Sequence, residues 1–277
     1  MIAMPGAHRE IPLVGGYTNA GQVVRVGDTV RRPQCSTSAA AHAVLEHLER
    51  VGFDGAPRFL GLDDRNREIL SYVDGQAIVR PYPPWALTDE ALAGVARLIR
   101  RYHDAMASFD PTPHIWPKPI PEPFQGRLVT HNDPNLDNVI FSGGRAVALI
   151  DFDLATPGSA VWDAACAARL WVPLRHESDV PPPLRGRWLE RLRLFLDAYG
   201  LSPADRERFA DALPQAHEWC YRIVRRAVAG GHETFERIWR EGGRARAERT
   251  QQWLSMQVGP VRTAVSRADS SELRARS

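Results

Sequence analysis

Leu128-Val129-Thr130-His131-Asn132-Asp133-Pro134-Asn135-Leu136-Asp137-Asn138-Val139-Ile140, followed by Ala148-Leu149-Ile150-Asp151-Phe152-Asp153, is the stretch whose reading decides the fold. Apolar residues lead into His131 and Asp133, and a second apolar run starts as the loop ends at Asn138. The Gly143-Gly144 pair turns the chain, and a third apolar run ends at Asp151. Each run is short enough to be a strand that delivers polar side chains to one end. An Asp that can meet a hydroxyl, an Asn shortly after it and an Asp beyond the next strand are oxygen donors suited to magnesium and to aiming a nucleophile at a phosphate. The stretch implies phosphoryl transfer.

Composition sets the frame around it. A chain of 277 residues can bury a full core and holds one or two domains. The formal net charge of +2 calls for neither a nucleic-acid nor a membrane partner. Lys118 is the sole lysine, so the basic side is arginine. Cys35, Cys166 and Cys220 are odd in number and far apart, which fits free thiols rather than a disulfide framework or a zinc site. The first residues lack a basic segment followed by an apolar core, and no apolar run is long enough to span a bilayer. A cytoplasmic protein is expected.

Before the motif the pattern is strand-like. Val23, Val24 and Val26 follow a turn at residues 15–21, Gly27-Asp28 marks a tight hairpin, and Thr29-Val30-Arg31 resumes the strand before Pro33. Residues 37–50 read as a helix with Val44, Leu45 and Leu48 on one face. A further strand pair flanks the turn at residues 63–66. Leu92, Val95, Leu98, Ile99 and Tyr102 define a helix over residues 88–106, with Thr88 as its N-cap. A proline-rich crossing follows at residues 111–123. Helices are expected at 159–171 and 184–199, and over 203–257 with breaks at Gly230-Gly231 and Gly242-Gly243. The last residues, charged and serine-containing, read as disordered. The division expected is 1–75, 76–260 and a tail at 261–277.

His131-x-Asp133-x-x-x-x-Asn138, followed by Ile150-Asp151-Phe152, resembles the catalytic core of the aminoglycoside phosphotransferase and choline kinase family. The likeness extends to Leu70-Ser71-Tyr72-Val73-Asp74-Gly75 and to Pro157-Gly158-Ser159-Ala160-Val161-Trp162-Asp163. It implies an α+β, bilobal, protein-kinase-like fold: a small antiparallel-sheet N-lobe that binds nucleotide and a mostly helical C-lobe with the catalytic loop and acceptor site. The implied activity is transfer of the γ-phosphoryl group of ATP to a hydroxyl of a small molecule such as an antibiotic, a sugar or an amino alcohol. Mg²⁺ is the implied cofactor.

Under that resemblance Asp133 is the catalytic residue, and Asn138 and Asp151 are the metal ligands. The backbones of Ser71 and Val73 face adenine, and the turn at residues 15–21 covers the phosphates. His131 holds the loop, Asn132 stands near the acceptor where many relatives carry glycine, and Asp163 ties the loop down. Departures are concentrated at the phosphate anchor. Protein kinases place a lysine on the third strand; here Arg31 or Arg32 must serve, and the position of Pro33 favours Arg31. The acidic partner on the next helix is missing, since Ala39, Ala40 and Ala41 fill the region and Glu46 comes about a turn late. No concentrated acidic patch follows Asp163, which disfavours a polycationic acceptor. Two other readings stand beside the kinase: a catalytically degenerate binding or immunity module on the same scaffold, and a metal-dependent hydrolase using the same acids.

Overall fold

In the computed structural model, residues 9–13 and 21–266 are described. The first strands are β1 (Ile11–Pro12), β2 (Val24–Val26) and β3 (Thr29–Arg32). Gly27, at φ 61°, gives the β2–β3 hairpin the left-handed corner that a side chain would strain. Helix α1 (Ser38–Arg50) follows, then β4 (Phe59–Leu62) and β5 (Glu68–Ser71). The sheet order is β1-β2-β3-β5-β4, antiparallel throughout, so β3 is flanked by both hairpins. Its register sets Val30 opposite Leu70 and Arg32 opposite Glu68. Ala41, Val44, Leu45 and Leu48 bury the inner face of α1. The turn at residues 15–20 lies outside the described residues.

The chain leaves this sheet through Tyr72–Gly75 and enters β6 (Gln76–Ala77). Gly75 is required there. At φ 149°, a Cβ would stand 2.5 Å from the carbonyl oxygen of Phe141. Helix α2 (Asp89–Met106) then begins at Thr88, whose hydroxyl accepts the Ala91 amide at 3.2 Å. Leu92, Val95, Ile99 and Tyr102 are all wholly buried, so the apolar stripe read from the sequence is the packing face. The motif folds as β7 (Leu128–Thr130), β8 (Val139–Ser142) and β9 (Arg145–Leu149). Strands β6, β8 and β9 form one small sheet, and β7 pairs with β10 (Thr156–Gly158), a strand not expected from the sequence.

Helices α3 (Ala160–Trp171), α4 (Trp188–Tyr199) and α5 (Pro203–Ala229) complete the core with α2. The expected breaks occur. Gly231 (φ 77°) ends α5, a short helix α6 (Glu233–Ile238) follows, and Gly242 (φ 99°) precedes α7 (Arg244–Ser266). The fold is α+β and bilobal, a small antiparallel sheet against a larger helical lobe. One boundary moves: α7 runs past the expected end of the helical lobe, because Val261, Ala264 and Val265 are buried, so residues 261–266 are helix and not tail. The remainder of that tail lies outside the described residues. Among the described residues no helix is long and apolar enough to cross a membrane.

Candidate active site

The loop between β7 and β8 is held by one carboxylate. Asp163, on the first turn of α3 and wholly buried, accepts the His131 amide at 2.9 Å and the Asn132 amide at 2.8 Å. His103 of α2 reaches the same carboxylate through Nε2 at 2.8 Å, and the Tyr199 hydroxyl meets His103 Nδ1 at 2.6 Å. Burial raises the Asp163 pKa, but the hydrogen bond and charge of His103 and the His131 amide outweigh it and hold it below the ordinary carboxylate value. The loop is therefore anchored to the helical lobe.

His131 has no nitrogen left for acid–base work. Its Nε2 donates to the Ile150 carbonyl at 3.0 Å, and its Nδ1 accepts the Asp133 amide at 3.3 Å. Burial keeps its pKa below the ordinary value, against the pull of Asp163. Asn132 differs from its expected place. It is 1 % exposed, and its amide faces the core: Oδ1 accepts from Thr130 Oγ1 at 2.8 Å and Trp162 Nε1 at 3.0 Å, while Nδ2 donates to the Leu154 carbonyl at 2.8 Å. A φ of 66° turns it inward, so it braces the loop and does not line the acceptor side.

Asp133, Asn138 and Asp151 come together. Asn138 Nδ2 donates to the Asp133 carbonyl at 2.9 Å and to its carboxylate at 3.1 Å. The Asn138 carbonyl accepts the Ile150 amide at 2.9 Å, just past the end of β9, and Asp151 follows close enough to act on Asp133 through its charge. Asp151 itself takes the left-handed conformation at φ 65°, uncommon for a non-glycine residue. Burial and the charge of Asp151 push the Asp133 carboxyl up to about 7; Arg169 opposes this, and half-buried Asp137 adds to it. A carboxylate with a pKa near neutrality is suited to taking a proton in the transition state.

A divalent cation is compatible with these donors. With Nδ2 committed to Asp133, the Asn138 side-chain oxygen has no partner among the described residues, and the Asp151 carboxylate is about a third exposed. No cluster of three or more His, Cys, Asp or Glu side chains is arranged for a metal among the described residues. Magnesium keeps several waters and relies on one or two side chains plus substrate phosphates, so an amide oxygen and a carboxylate would suffice to hold it.

The cation reaching this centre is Arg32, and this corrects the choice of Arg31. Neighbouring residues of a strand point to opposite faces, so only one of the pair can look into the cleft. Arg31 turns away, donating to Thr29 Oγ1 at 2.6 Å and lying 3.8 Å from Asp63. Arg32 meets Glu68, Asp153 and, at 3.0 Å, Asp151. Burial works against its charge, but Asp153, Asp151 and Glu68 together raise its pKa above the ordinary arginine value. The missing helix acid is replaced across the sheet by Glu68, which is wholly buried and bonded to His42 Nε2 of α1 at 2.8 Å. His42 in turn stacks on Phe59 with ring centroids 3.7 Å apart. No local signal points to Glu68, because β3 and β5 pair without a hairpin between them.

The two connector residues divide. The Ser71 amide is used by the Arg58 carbonyl at 2.9 Å, and its hydroxyl accepts the Arg58 amide at 2.7 Å, so Ser71 closes the sheet. Val73 has no backbone hydrogen-bond partner among the described residues and retains the expected freedom to meet a ligand.

A bilobal sheet-and-helix body with these carboxylates below the sheet defines a protein-kinase-like phosphotransferase. A sequence profile described as "Phosphotransferase enzyme family" matches residues 115–208. The trifolitoxin immunity protein of Rhizobium leguminosarum bv. trifolii is 31% identical over 255 residues, covering 86% of this chain and 93% of that protein. The homoserine kinase of Rhodopseudomonas palustris is 34% identical over 131 residues, 47% of this chain and 36% of its own length. Among solved structures, a choline/ethanolamine kinase family protein from Mesorhizobium loti superposes with a TM-score of 0.61 at 18% identity, covering 93% of both chains. The chain belongs to the phosphotransferase enzyme family.

Proposed function

We propose that the protein transfers the γ-phosphoryl group of ATP to the hydroxyl of a small molecule, with Asp133 as the catalytic residue and Asn138 and Asp151 as the ligands of Mg²⁺. The observation that carries this is the hydrogen bond of 3.1 Å between Asn138 and Asp133, in a loop whose carbonyl at Asn138 also fixes the approach to Asp151. Bound there, magnesium would neutralise charge on the phosphate oxygens. Asp133 orients the acceptor oxygen and takes its proton as the new O–P bond forms and the bond from the γ-phosphorus to the β-phosphate oxygen breaks, releasing ADP. Arg32 presents a guanidinium suited to phosphate oxygens. Val73 offers its backbone to the base.

The test is ADP release with magnesium and ATP over a panel of sugars, amino alcohols, hydroxy acids and antibiotics. Acceptor-dependent release that disappears in Asp133→Asn supports the reading. Absence of release across the panel, together with absence of nucleotide binding, overturns it.

The degenerate binding or immunity module is favoured by a separate observation. Arg32 stands 3.0 Å from an Asp151 oxygen that a metal would need, and a relative along most of the chain is named as an immunity protein. Thermal-shift titration separates the two. Stabilisation by ATP that grows with magnesium fits the kinase, whereas indifference to both fits the module.

A further inference from the structure

Two arginines of the helical lobe lack, among the described residues, the counter-ions that buried arginines elsewhere in the molecule possess. Arg191 lies 2.5 Å from Asp89, and Arg206 lies 2.7 Å from Asp197. Arg169, on α3 and 7 % exposed, has no carboxylate at ion-pair distance among the described residues. Its Nη2 donates to Cys220 Sγ of α5 at 2.9 Å, a weak acceptor, and its buried Nε has no partner. Arg175, just beyond α3 and half-buried, donates only to the Leu170 carbonyl at 3.3 Å.

The surroundings add no negative charge except the loop itself. Tyr82, Tyr221, Arg169 and Arg80 act most strongly on Arg175, none of them a carboxylate, and burial pushes its pKa down. Arg169 is close enough to Asp133 for each to shift the other. Burying a guanidinium without a carboxylate is costly, and Arg169, close to Asp133 and with half-buried Arg175 beside it, leaves fork-shaped donors open to a ligand oxyanion. Arginine suits this role because its planar donors match carboxylate and phosphate oxygens.

From this geometry we infer that the acceptor pocket recognises an oxyanion on the molecule that carries the hydroxyl. Arg169 and Arg175 bind the anionic group while Asp133 receives the hydroxyl, so the substrate class is a small hydroxy acid, hydroxy amino acid or hydroxyalkyl phosphate. The inference rests on the phosphotransferase reading for the role of Asp133, but the anion site itself can be measured without turnover.

The experiment pairs anionic molecules with neutral counterparts: D-glycerate with glyceramide, L-homoserine with its amide, and glycerol 3-phosphate with glycerol. Choline and kanamycin serve as cationic comparators. Binding to the full chain is read by calorimetry and turnover by ADP release. The expected result is about 10- to 100-fold preference for at least one anion over its neutral counterpart, lost in Arg175→Gln. Arg175→Gln serves because Arg169 variants can fail to fold; its melting profile checks integrity. Preference for a carboxylate over a phosphate, or the reverse, identifies the oxyanion. Anion binding that Arg175→Gln abolishes, without turnover, upholds the site and counts against the kinase reading. Turnover of choline, kanamycin or neutral alcohols without anion preference overturns the site and leaves the kinase reading intact. Absence of both binding and turnover overturns both.

Discussion

Arg32 and Glu68 face each other across the β3–β5 ladder, and their side chains pair where Glu68 has no contact with solvent. Arg32 continues from that pair to Asp151 and Asp153 in the helical lobe. One strand residue thus joins the sheet to two carboxylates of the helical lobe.

Removing Arg32 should therefore unbalance both lobes. Arg32→Ala leaves Glu68 buried with only His42 beside it, and a buried charge that loses its partner costs about 3–5 kcal/mol. Urea denaturation should show that loss, and Arg32→Lys should restore part of it by returning the charge without the fork. An Arg32→Ala variant as stable as the parent would show that the pair contributes nothing to folding.

Asp133→Asn should leave the fold and nucleotide affinity near those of the parent, because Asn138 can still donate to the new side-chain oxygen. Turnover should drop by about 10²–10⁴-fold, the range associated with a positioned general base. Steady-state kinetics and nucleotide titration of the same preparation make the check. Retained kcat would remove Asp133 from catalysis.

At position 132 the backbone and the side chain make separable contributions. Asn132→Gly and Asn132→Ala both deprive buried Trp162 Nε1 of its acceptor, which costs about 1–3 kcal/mol. Alanine also has to hold a φ of 66°, so it should be less stable than glycine by about a further 1 kcal/mol. Thermal melts of the two variants rank them directly.

His217 makes stability depend on pH. It is 3 % exposed, and Nε2 donates to the Ala247 carbonyl at 3.0 Å. Burial, helped by the charge of Arg169, lowers its pKa from 6.5 to about 3. Between those values the unfolded chain binds a proton that the folded chain does not, so unfolding gains as pH falls. The stabilisation is complete above 6.5 and fades toward about 3, at a slope approaching about 1 kcal/mol per pH unit. Melting curves at about pH 5 and about pH 7 should diverge more for the parent than for His217→Leu. Equal divergence would assign the effect to other groups.

The motif residues and the long helices were legible because their signals are local. The spacing from His131 to Asn138 and the stripe from Leu92 to Tyr102 each lie within one short window. The anchor was not legible, because choosing between Arg31 and Arg32 depends on strand phase, and proline counting gave the wrong face. Glu68 stayed hidden for a related reason: its partner lies 36 residues away and meets it only through register. Asn132 reads outward on its polarity, although an asparagine where many relatives carry glycine is the residue that a positive φ tolerates. The helical end of α7 is not legible because Gly259-Pro260 stands before its buried valines and reads as a helix stop. Arg169 carries no local signal, because its missing ion pair is a property of residues far away in the chain.

Strand β6 is hydrogen-bonded to β8, with Gln76 opposite Phe141 and Ala77 opposite Ile140. The connector is thus stitched to the hairpin that begins at Asn138 as soon as it leaves the sheet. The Tyr72 amide is still held by the Asp28 carbonyl at 2.9 Å, so within the connector only Val73–Gly75 lacks a backbone hydrogen bond among the described residues, and Gly75 lies against the Phe141 carbonyl with no room for a side chain. A swing of the sheet over the helices would consequently bend the backbone within those three residues, and β6 would stay with the hairpin it is paired to.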